Sequence, residues 1–300
     1  MASLAQWVDG IRPRTLPIAL APVIAGIAAA NHVDESPSWP AMIGALVVAL
    51  ALVAGVNYAN DYSDGIRGTD DNRVGPQRLV GSGAASPGAV RTAAIIAFLI
   101  AAVAGVWLSL ATHWWLILVG AVCILAAWFY TGGSRPYGYA GFGEIAVFVF
   151  FGLVAVCGTQ LVVGGRIDSV GVGIAIAIGS FASAILVTNN LRDIDSDAAA
   201  GKLTAAVRLG DYSTRYLYAF LMTLPFFMTV VLTLHHPWAL SGLLLAPFAN
   251  AVGRSVVSGA TGAALVRALG QTGLIMLGWS IIILLAFAWG VDSVPHTHGL

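Results

Sequence analysis

The sequence predicts an all-α membrane protein: nine transmembrane helices, arranged as two four-helix halves plus one helix around a central cavity. Three observations lead there. Hydrophobic residues make up 58% of the 300 residues and charged ones only 9%, with a mean hydropathy of +0.86, where soluble domains are roughly half apolar and a quarter charged. The apolar residues gather in runs close to the roughly 20 residues that cross a bilayer as a helix. No polar stretch between the runs is long enough for a soluble domain, so residues 1–300 read as a single integral-membrane domain.

By hydropathy and length the segments fall at about 15–31, 40–60, 90–111, 114–131, 142–163, 169–190, 214–234, 237–254 and 271–290. The first imitates a secretory signal, with Arg12 and Arg14 before it and small residues at Ala28 to Ala30. Its length, its Pro17 and Pro22, and the many segments behind it favour a retained helix. The second and sixth each run directly into an acidic stretch. Short links carrying Gly, Pro or charge separate the segments. Trp39, Trp107, Trp114, Trp115, Trp238 and Trp289 lie near segment ends, as an interfacial aromatic belt does.

Arg and Lys set the orientation. With the N-terminus in the cytoplasm, the cytoplasmic links receive Arg12, Arg14, Arg67, Arg73, Arg78, Arg91, Arg135, Arg192, Lys202, Arg208, Arg215, Arg254 and Arg267, and only Arg166 falls outside. So strong a positive-inside bias predicts a multi-pass protein of the cell membrane with a cytoplasmic N-terminus. Net charge is zero, which gives no sign of a nucleic-acid partner. Cys123 and Cys157 both sit in apolar runs, which argues against a disulfide framework or a thiolate metal site. The histidines fall at loops or in the tail, where His296 and His298 read as a frayed terminus.

The chemistry is concentrated in the two acidic stretches. Residues 57–71 hold Asn57, Asn60, Asp61, Asp64, Asp70 and Asp71, and residues 189–197 hold Asn189, Asn190, Asp193, Asp195 and Asp197; together they carry seven of the fourteen acids. Charge at a membrane helix end is costly and usually functional, and acids contribute little to topology. Both stretches are predicted on the cytoplasmic side, four segments apart, and that spacing suggests an internal duplication. At helical spacing Asn57 shares a face with Asp61, Asn60 with Asp64, and Asn189 with Asp193 and Asp197. Such columns of carboxylate and amide oxygen, without Cys or His, suit a hard divalent cation such as Mg²⁺ that bridges to phosphate oxygens. Arg67, Arg73 and Arg78 follow the first stretch, Lys202 and Arg208 the second, and Arg135 lies between Tyr130 and Tyr137 in a link. Arg presents a fork matched to phosphate and Lys a point charge. Acids and bases together indicate a metal–diphosphate site.

These motifs resemble the UbiA superfamily of intramembrane prenyltransferases. Asn-Asp-Tyr-x-Asp-x-x-x-Gly-x-Asp at 60–70, Asn-Asn-Leu-Arg-Asp-x-x-x-Asp at 189–197 and Gly-Lys-x-Thr-x-x-Val-Arg-Leu-Gly at 201–210 are most similar to the branch that prenylates 1,4-dihydroxy-2-naphthoate in menaquinone synthesis, as is Arg12-Pro-Arg-Thr-Leu-Pro17. The first motif departs from the general superfamily spacing: position 68 is Gly and the next acid is Asp70, which leaves either Asp61 or Asp70 to complete the metal shell. The resemblance implies Mg²⁺ bound by Asn60, Asp64, Asp193 and Asp197, gripping the diphosphate of a polyprenyl diphosphate donor. Arg67, Arg78, Lys202 and Arg208 would then stabilise leaving-group charge, while Asn57, Asn189 and Asn190 contribute to substrate binding. It further implies prenylation of the naphthoate at its carboxylate-bearing carbon with loss of CO₂, giving demethylmenaquinone. Tyr130 or Tyr137 would face the allylic cation and Arg135 would pair with the aromatic carboxylate. Glu144, at the mouth of the fifth segment, fits proton transfer or a helix cap equally. Membrane lipid is the expected surrounding, and the 35 glycines serve either close helix packing or space for a prenyl chain. Alternative acceptors are 4-hydroxybenzoate, a porphyrin or a lipid phosphate, and the rival from another class is an ion-coupled secondary transporter.

Overall fold

A capping box opens the chain: Ser3 Oγ accepts from Gln6 N while Gln6 Oε1 accepts from Ser3 N, at 3.3 and 2.8 Å. It starts the short amphipathic helix α1 (Leu4–Ile11). Arg12 ends α1 in the left-handed conformation, with φ of 61°, a costly setting for a residue with a Cβ. A single turn, Pro13–Thr15, then leads into α2 (Leu16–Val33). The molecule is seen in a computed structural model that describes residues 2–34, 36–68 and 78–289, the side chains of Arg14 and Trp289 excepted. The remaining helices are α3 (Trp39–Gly65), α4 (Pro87–Ala111), α5 (Leu116–Phe129), α6 (Gly143–Gly164), α7 (Ser169–Arg192), the short α8 (Ile194–Ala199), α9 (Ala205–Leu232), α10 (Pro237–Val257) and α11 (Gly262–Trp289). No strand occurs among the described residues.

Eight of these helices are long and apolar enough to cross a membrane: α2, α3, α4, α6, α7, α9, α10 and α11. The fourth expected segment, α5, has 14 residues. At 1.5 Å per residue it rises about 21 Å, short of the roughly 30 Å hydrocarbon layer. The expected nine spans therefore become eight long ones and one short apolar helix. Boundaries differ too, since α9 begins nine residues before the expected 214 and α11 nine before 271. Their first two turns carry Arg208, Asp211 and Arg267. Hydropathy reads such residues as a link; in α9 a break at Gly210, with φ of 77° and ψ of 169°, makes 205–209 a separate helical piece, while α11 runs on unbroken through Arg267.

Helix α7 is buried on nearly every side, and the main core forms around it. Phe181 of α7, Tyr218 of α9 and Met276, Trp279 and Ile283 of α11 pack together with Ala21, Ala25 and Ala28 of α2. A second cluster joins α2, α3, α4 and α6 through Val23, Ala45, Leu108 and Val162. A third sets Tyr58 of α3 against Leu79, Val90 and Phe98. The packing is thus less even than two equal halves, because α2 and α11 share the core of the second half. Where α6 meets α7, a Cβ on Gly152 would lie 2.6 Å from Gly179 Cα, so the approach requires glycine on both helices. The middle of α6 is π-helical, Phe148–Cys157, a local widening often found at functional sites. It forms one wall of a central apolar cavity of about 370 Å³ enclosed by α2 to α7.

Candidate active site

Above one end of the apolar cavity lies a smaller polar pocket of about 120 Å³, at the ends of α3 and α7. Both acidic motifs reach it: Asn60 and Asp64 from α3, and Asn189, Asn190, Asp193 and Asp197 from α7 and α8. Arg12, Asn60, Tyr130, Leu186 and Asn189 line the pocket and the cavity alike, so the two spaces adjoin.

The first motif divides by helical face. Asn60 and Asp64 face the pocket; the Thr131 hydroxyl donates to Asn60 Oδ1 at 2.7 Å. The buried Asp64 accepts from the Tyr139 hydroxyl and is flanked by Arg78 Nη2 at 3.6 Å and Lys202 Nζ at 3.5 Å. On the neighbouring face Asn57 donates to Ile11 O at 2.8 Å, which fastens the end of α1 to α3, and it also lines the apolar cavity. Asp61 is buried and accepts from Leu79 N at 2.8 Å and Val80 N at 3.1 Å. Its oxygens hold the turn that delivers Arg78, and it does not line the pocket. Asp61, one of the two acids expected to complete the metal shell, is thus engaged outside the pocket that holds Asn60 and Asp64. Asp70, Asp71 and Arg73 lie outside the described residues.

The second motif keeps its column. Asn189, Asp193 and Asp197 all line the pocket, and the helix breaks at Asp193 between α7 and α8. Arg192 grips Asp193 bidentately, Nε to Oδ1 at 2.7 Å and Nη2 to Oδ2 at 2.6 Å, and reaches Asn189 Oδ1 at 3.0 Å. Asn190 turns aside and donates to Glu144 Oε1 at 2.9 Å while still touching the pocket. After α8, Gly201 takes φ of 72° and Lys202 N bonds Asp197 O at 2.8 Å, a reversal that returns the Lys202 side chain to Asp64.

The link 130–141 forms the third wall. Lys202 Nζ lies 4.6 Å from the centre of the Tyr139 ring and the Arg67 guanidinium 5.5 Å from it, both cation–π contacts. Arg67 donates to Thr131 O and Gly133 O; it supports the link from outside and does not enter the pocket. Arg208 is exposed and donates to Leu203 O at 3.2 Å, also outside. Arg135 is exposed and reaches neither cavity, so the expected pairing with an aromatic carboxylate has no support from its position. Tyr130 and Tyr137 line the apolar cavity, their rings edge to face at 5.5 Å. The Tyr137 hydroxyl donates to Ala126 O at 2.9 Å. Burial, with Cys123 second, pushes its phenol up to about 12, so it stays a neutral donor.

Sequence reasoning missed Tyr139, Arg192 and Thr131 as site residues and quoted Arg12 only within a motif. Arg192 and Arg12 resembled the arginines that set topology. Tyr139 sits two residues from Tyr137, with no local pattern to rank one above the other.

The pocket balances three carboxylates, Asp64, Asp193 and Asp197, with three cations, Arg12, Arg78 and Lys202, among the described residues. No three carboxylate, imidazole or thiol groups converge on a closed metal cage among those residues. The donors are nonetheless of the right kind, hard oxygen from two facing helix ends, and a charge-neutral pocket takes a polyanionic ester only with added positive charge. Half-shells of one or two carboxylates completed by phosphate oxygens are how Mg²⁺ is usually held.

The model of the UbiA prenyltransferase family matches residues 19–281. The chain belongs to this family. It is 56% identical over 290 residues, 97% of this chain and 99% of the relative, to the 1,4-dihydroxy-2-naphthoate octaprenyltransferase of Mycobacterium tuberculosis. A protein of the same name from Escherichia coli is 36% identical over 257 residues, 80% of this chain and 81% of the relative. The fold matches that of a UbiA homolog from Aeropyrum pernix K1, with a TM-score of 0.70 at 14% identity over 89% of this chain and 97% of the other. A UbiA homolog from Archaeoglobus fulgidus, solved with DMAPP and Mg²⁺, gives 0.65 at 13% identity over 93% of this chain and 99% of the other. The all-helical membrane architecture of the UbiA family is therefore that of this chain.

Proposed function

We propose that this protein transfers a polyprenyl group from polyprenyl diphosphate to 1,4-dihydroxy-2-naphthoate, with loss of CO₂ and diphosphate, to give demethylmenaquinone. One observation carries the reading: the polar pocket that unites both acidic motifs adjoins an apolar cavity, with Arg12, Asn60, Tyr130, Leu186 and Asn189 lining both. That arrangement seats a donor with a charged head and an apolar tail, its reacting carbon at the boundary. The names of relatives at 56% and 36% identity supply the acceptor.

In this reading Asn60, Asp64, Asp193 and Asp197 hold a divalent cation, and Mg²⁺ is favoured because a solved UbiA homolog contains it. When bound, the cation neutralises diphosphate charge and makes it a better leaving group. Lys202 and Arg78 add fixed positive charge where negative charge grows as the bond from C1 to oxygen breaks, an electrostatic effect that lowers such barriers strongly. Asp64, anchored by Tyr139, keeps both cations at the pocket. Arg12, at the junction, takes the part expected of Arg135 and pairs with the acceptor carboxylate. Tyr130 and Tyr137 offer ring faces to the allylic cation, and the apolar walls exclude the water that would quench it. Asn189 and Asn190 contact substrate from the opposite side. Asp61, Asn57, Arg67 and Arg208 position the walls. The site lies on the cytoplasmic side of the cell membrane, supported by the Arg and Lys distribution.

The test is turnover by purified protein with Mg²⁺, a polyprenyl diphosphate and naphthoate labelled in its carboxyl group. Release of labelled CO₂ with each prenyl transfer is expected. Transfer to 4-hydroxybenzoate in its place would reassign the acceptor, and no diphosphate release with any aromatic acid would reject the enzyme reading.

A further inference from the structure

Gly10 is the one buried residue of α1, and a Cβ on it would lie 2.8 Å from Leu79 Cδ1 and 2.9 Å from Tyr58 Cε1. The helix therefore rests directly on these two side chains, a seat that only glycine allows. Further bonds fasten it. The Tyr58 hydroxyl donates to Trp7 O at 2.8 Å and its ring meets the Trp7 ring edge to face at 5.8 Å, while Asn57 holds Ile11 O. From this seat the chain leads to two arginines of the pocket. Leu79 is buried, follows Arg78 directly and has its N–H held by Asp61, so a push on its side chain passes to the turn that delivers Arg78. Arg12 lies two residues beyond Gly10. It is the one non-glycine residue with a positive φ among the described residues, and its carbonyl accepts from both Thr15 N and Thr15 Oγ1 at 2.8 Å. Backbone strain of this kind persists only where the surroundings over-determine it, and it gathers at functional sites.

We propose that α1 is a positioning arm that sets two pocket cations from one seat, Arg12 for the aromatic acceptor and Arg78 for the diphosphate donor, with Gly10 and Tyr58 as its positioning residues. The assignment of one cation to each substrate rests on the functional reading above. Neither Gly10 nor Tyr58 lines the pocket or the cavity, so both act through the arginines. The new bond forms between the carbon that bears the acceptor carboxylate and the carbon that bears the diphosphate oxygen. The spacing of the two anionic groups therefore fixes the spacing of the reacting atoms. Cations that grip those groups must keep their own spacing, and the contact of α1 with the 78–80 turn does so, because a close-packed interior transmits displacement from one side chain to the next. A misplacement of about 1 Å by a change far from the chemistry can lower the rate about 100-fold. Lys202 is delivered separately, by the link after α8, so its replacement moves the donor alone, whereas loosening the arm moves both substrates.

The test uses full-length purified protein with Mg²⁺ and reads two constants, the KM of the naphthoate acceptor and the inhibition constant of inorganic diphosphate against the prenyl donor. The variants are Gly10→Ala, Gly10→Val, Tyr58→Phe, and Gly10→Val combined with Leu79→Ala. Gly10→Val is expected to raise both constants by about tenfold or more, and Gly10→Ala to raise both by less. Tyr58→Phe keeps the ring and loses the bond to Trp7 O, so both constants should rise by about two- to tenfold, the scale of one hydrogen bond. Leu79→Ala vacates the space that the valine enters and should recover part of the loss, as contacting sites do when they couple. A lower Tm with both constants at parental values makes the seat a purely structural contact and overturns the proposal. So does a change in one constant alone, or a double variant with no recovery. Should Gly10→Val fail to fold, Gly10→Ala and Tyr58→Phe decide by the same two constants. A parent that prenylates no aromatic acid with CO₂ release defeats the functional reading; a parent active on naphthoate whose variants keep both constants defeats this inference alone.

Discussion

Lys202 Nζ lies 3.5 Å from Asp64 Oδ1, an ion pair that joins the link after the second acidic motif to the end of the first. The single lysine of the chain is thereby fixed at the wall of the polar pocket, with the Tyr139 ring beneath it. A hydrogen bond to a charged group contributes about 1.5–3 kcal/mol, and every 1.4 kcal/mol is tenfold in affinity. Lys202→Ala is therefore expected to raise the KM for the diphosphate donor by about 10- to 100-fold while leaving the KM for the aromatic acceptor unchanged. Steady-state kinetics with each substrate varied in turn decide it, and an unaltered donor KM removes Lys202 from the diphosphate site.

Asp61 and Asp64 share a motif but should respond differently to the same change. Asp64→Asn removes a pocket charge and is expected to cut turnover by about 100-fold or more at saturating Mg²⁺. Asp61→Asn leaves one of two buried N–H groups, Leu79 or Val80, unsatisfied, at a cost of about 1–3 kcal/mol. Its signature is a lower Tm with more residual activity than Asp64→Asn. Equal loss of metal affinity in both variants would return Asp61 to the metal shell.

Glycines of the apolar helices divide into two uses that substitution can separate. Gly120 and Gly158 line the apolar cavity, and a Cβ at either would meet nothing within 4 Å. Gly158→Leu is expected to leave stability intact and shift the enzyme toward shorter prenyl donors, read as kcat/KM across a donor series. Gly152→Ala, which forces a Cβ to 2.6 Å from Gly179 Cα, should destabilise by about 1–3 kcal/mol through overpacking. The reverse pattern would mean that the cavity does not hold the tail.

Arg192 and Asp193 form a pair almost wholly out of water. Removing one partner of a buried pair leaves an uncompensated charge and costs about 3–5 kcal/mol. Arg192→Ala should lower the thermal midpoint markedly in detergent, and restoring neutrality in Arg192→Ala with Asp193→Asn should recover most of that loss without restoring activity. Thermal scans of the three proteins check both statements; an unchanged midpoint in Arg192→Ala would show the pair to be solvated.

Much of this was legible in the chain because the signals are local. Hydropathy located the membrane helices, since the cost of polar groups in hydrocarbon is met residue by residue. It set the start of α11 late, where the helix runs on through Arg267, it read the short helical piece before the break at Gly210 in α9 as a link, and it could not distinguish the 14-residue α5 from a full span. Helical spacing put Asn60 with Asp64 and Asn57 with Asp61 on separate faces, which the fold keeps. Spacing alone was silent on which face met the ligand.

The sequence by itself determined an all-helical membrane protein with two acidic, oxygen-rich motifs and cations beside each, because period and composition follow from a residue and its near neighbours. Only the tertiary structure decided that Asp64 meets Lys202 while Asp61 holds a turn, that Arg12 and not Arg135 reaches the cavity, and that Arg192 grips Asp193. Each of those outcomes depends on the distance and burial of groups brought together by packing of the helices around α7, and the strength of an electrostatic or hydrogen-bonding contact is set by those two quantities and not by position along the chain.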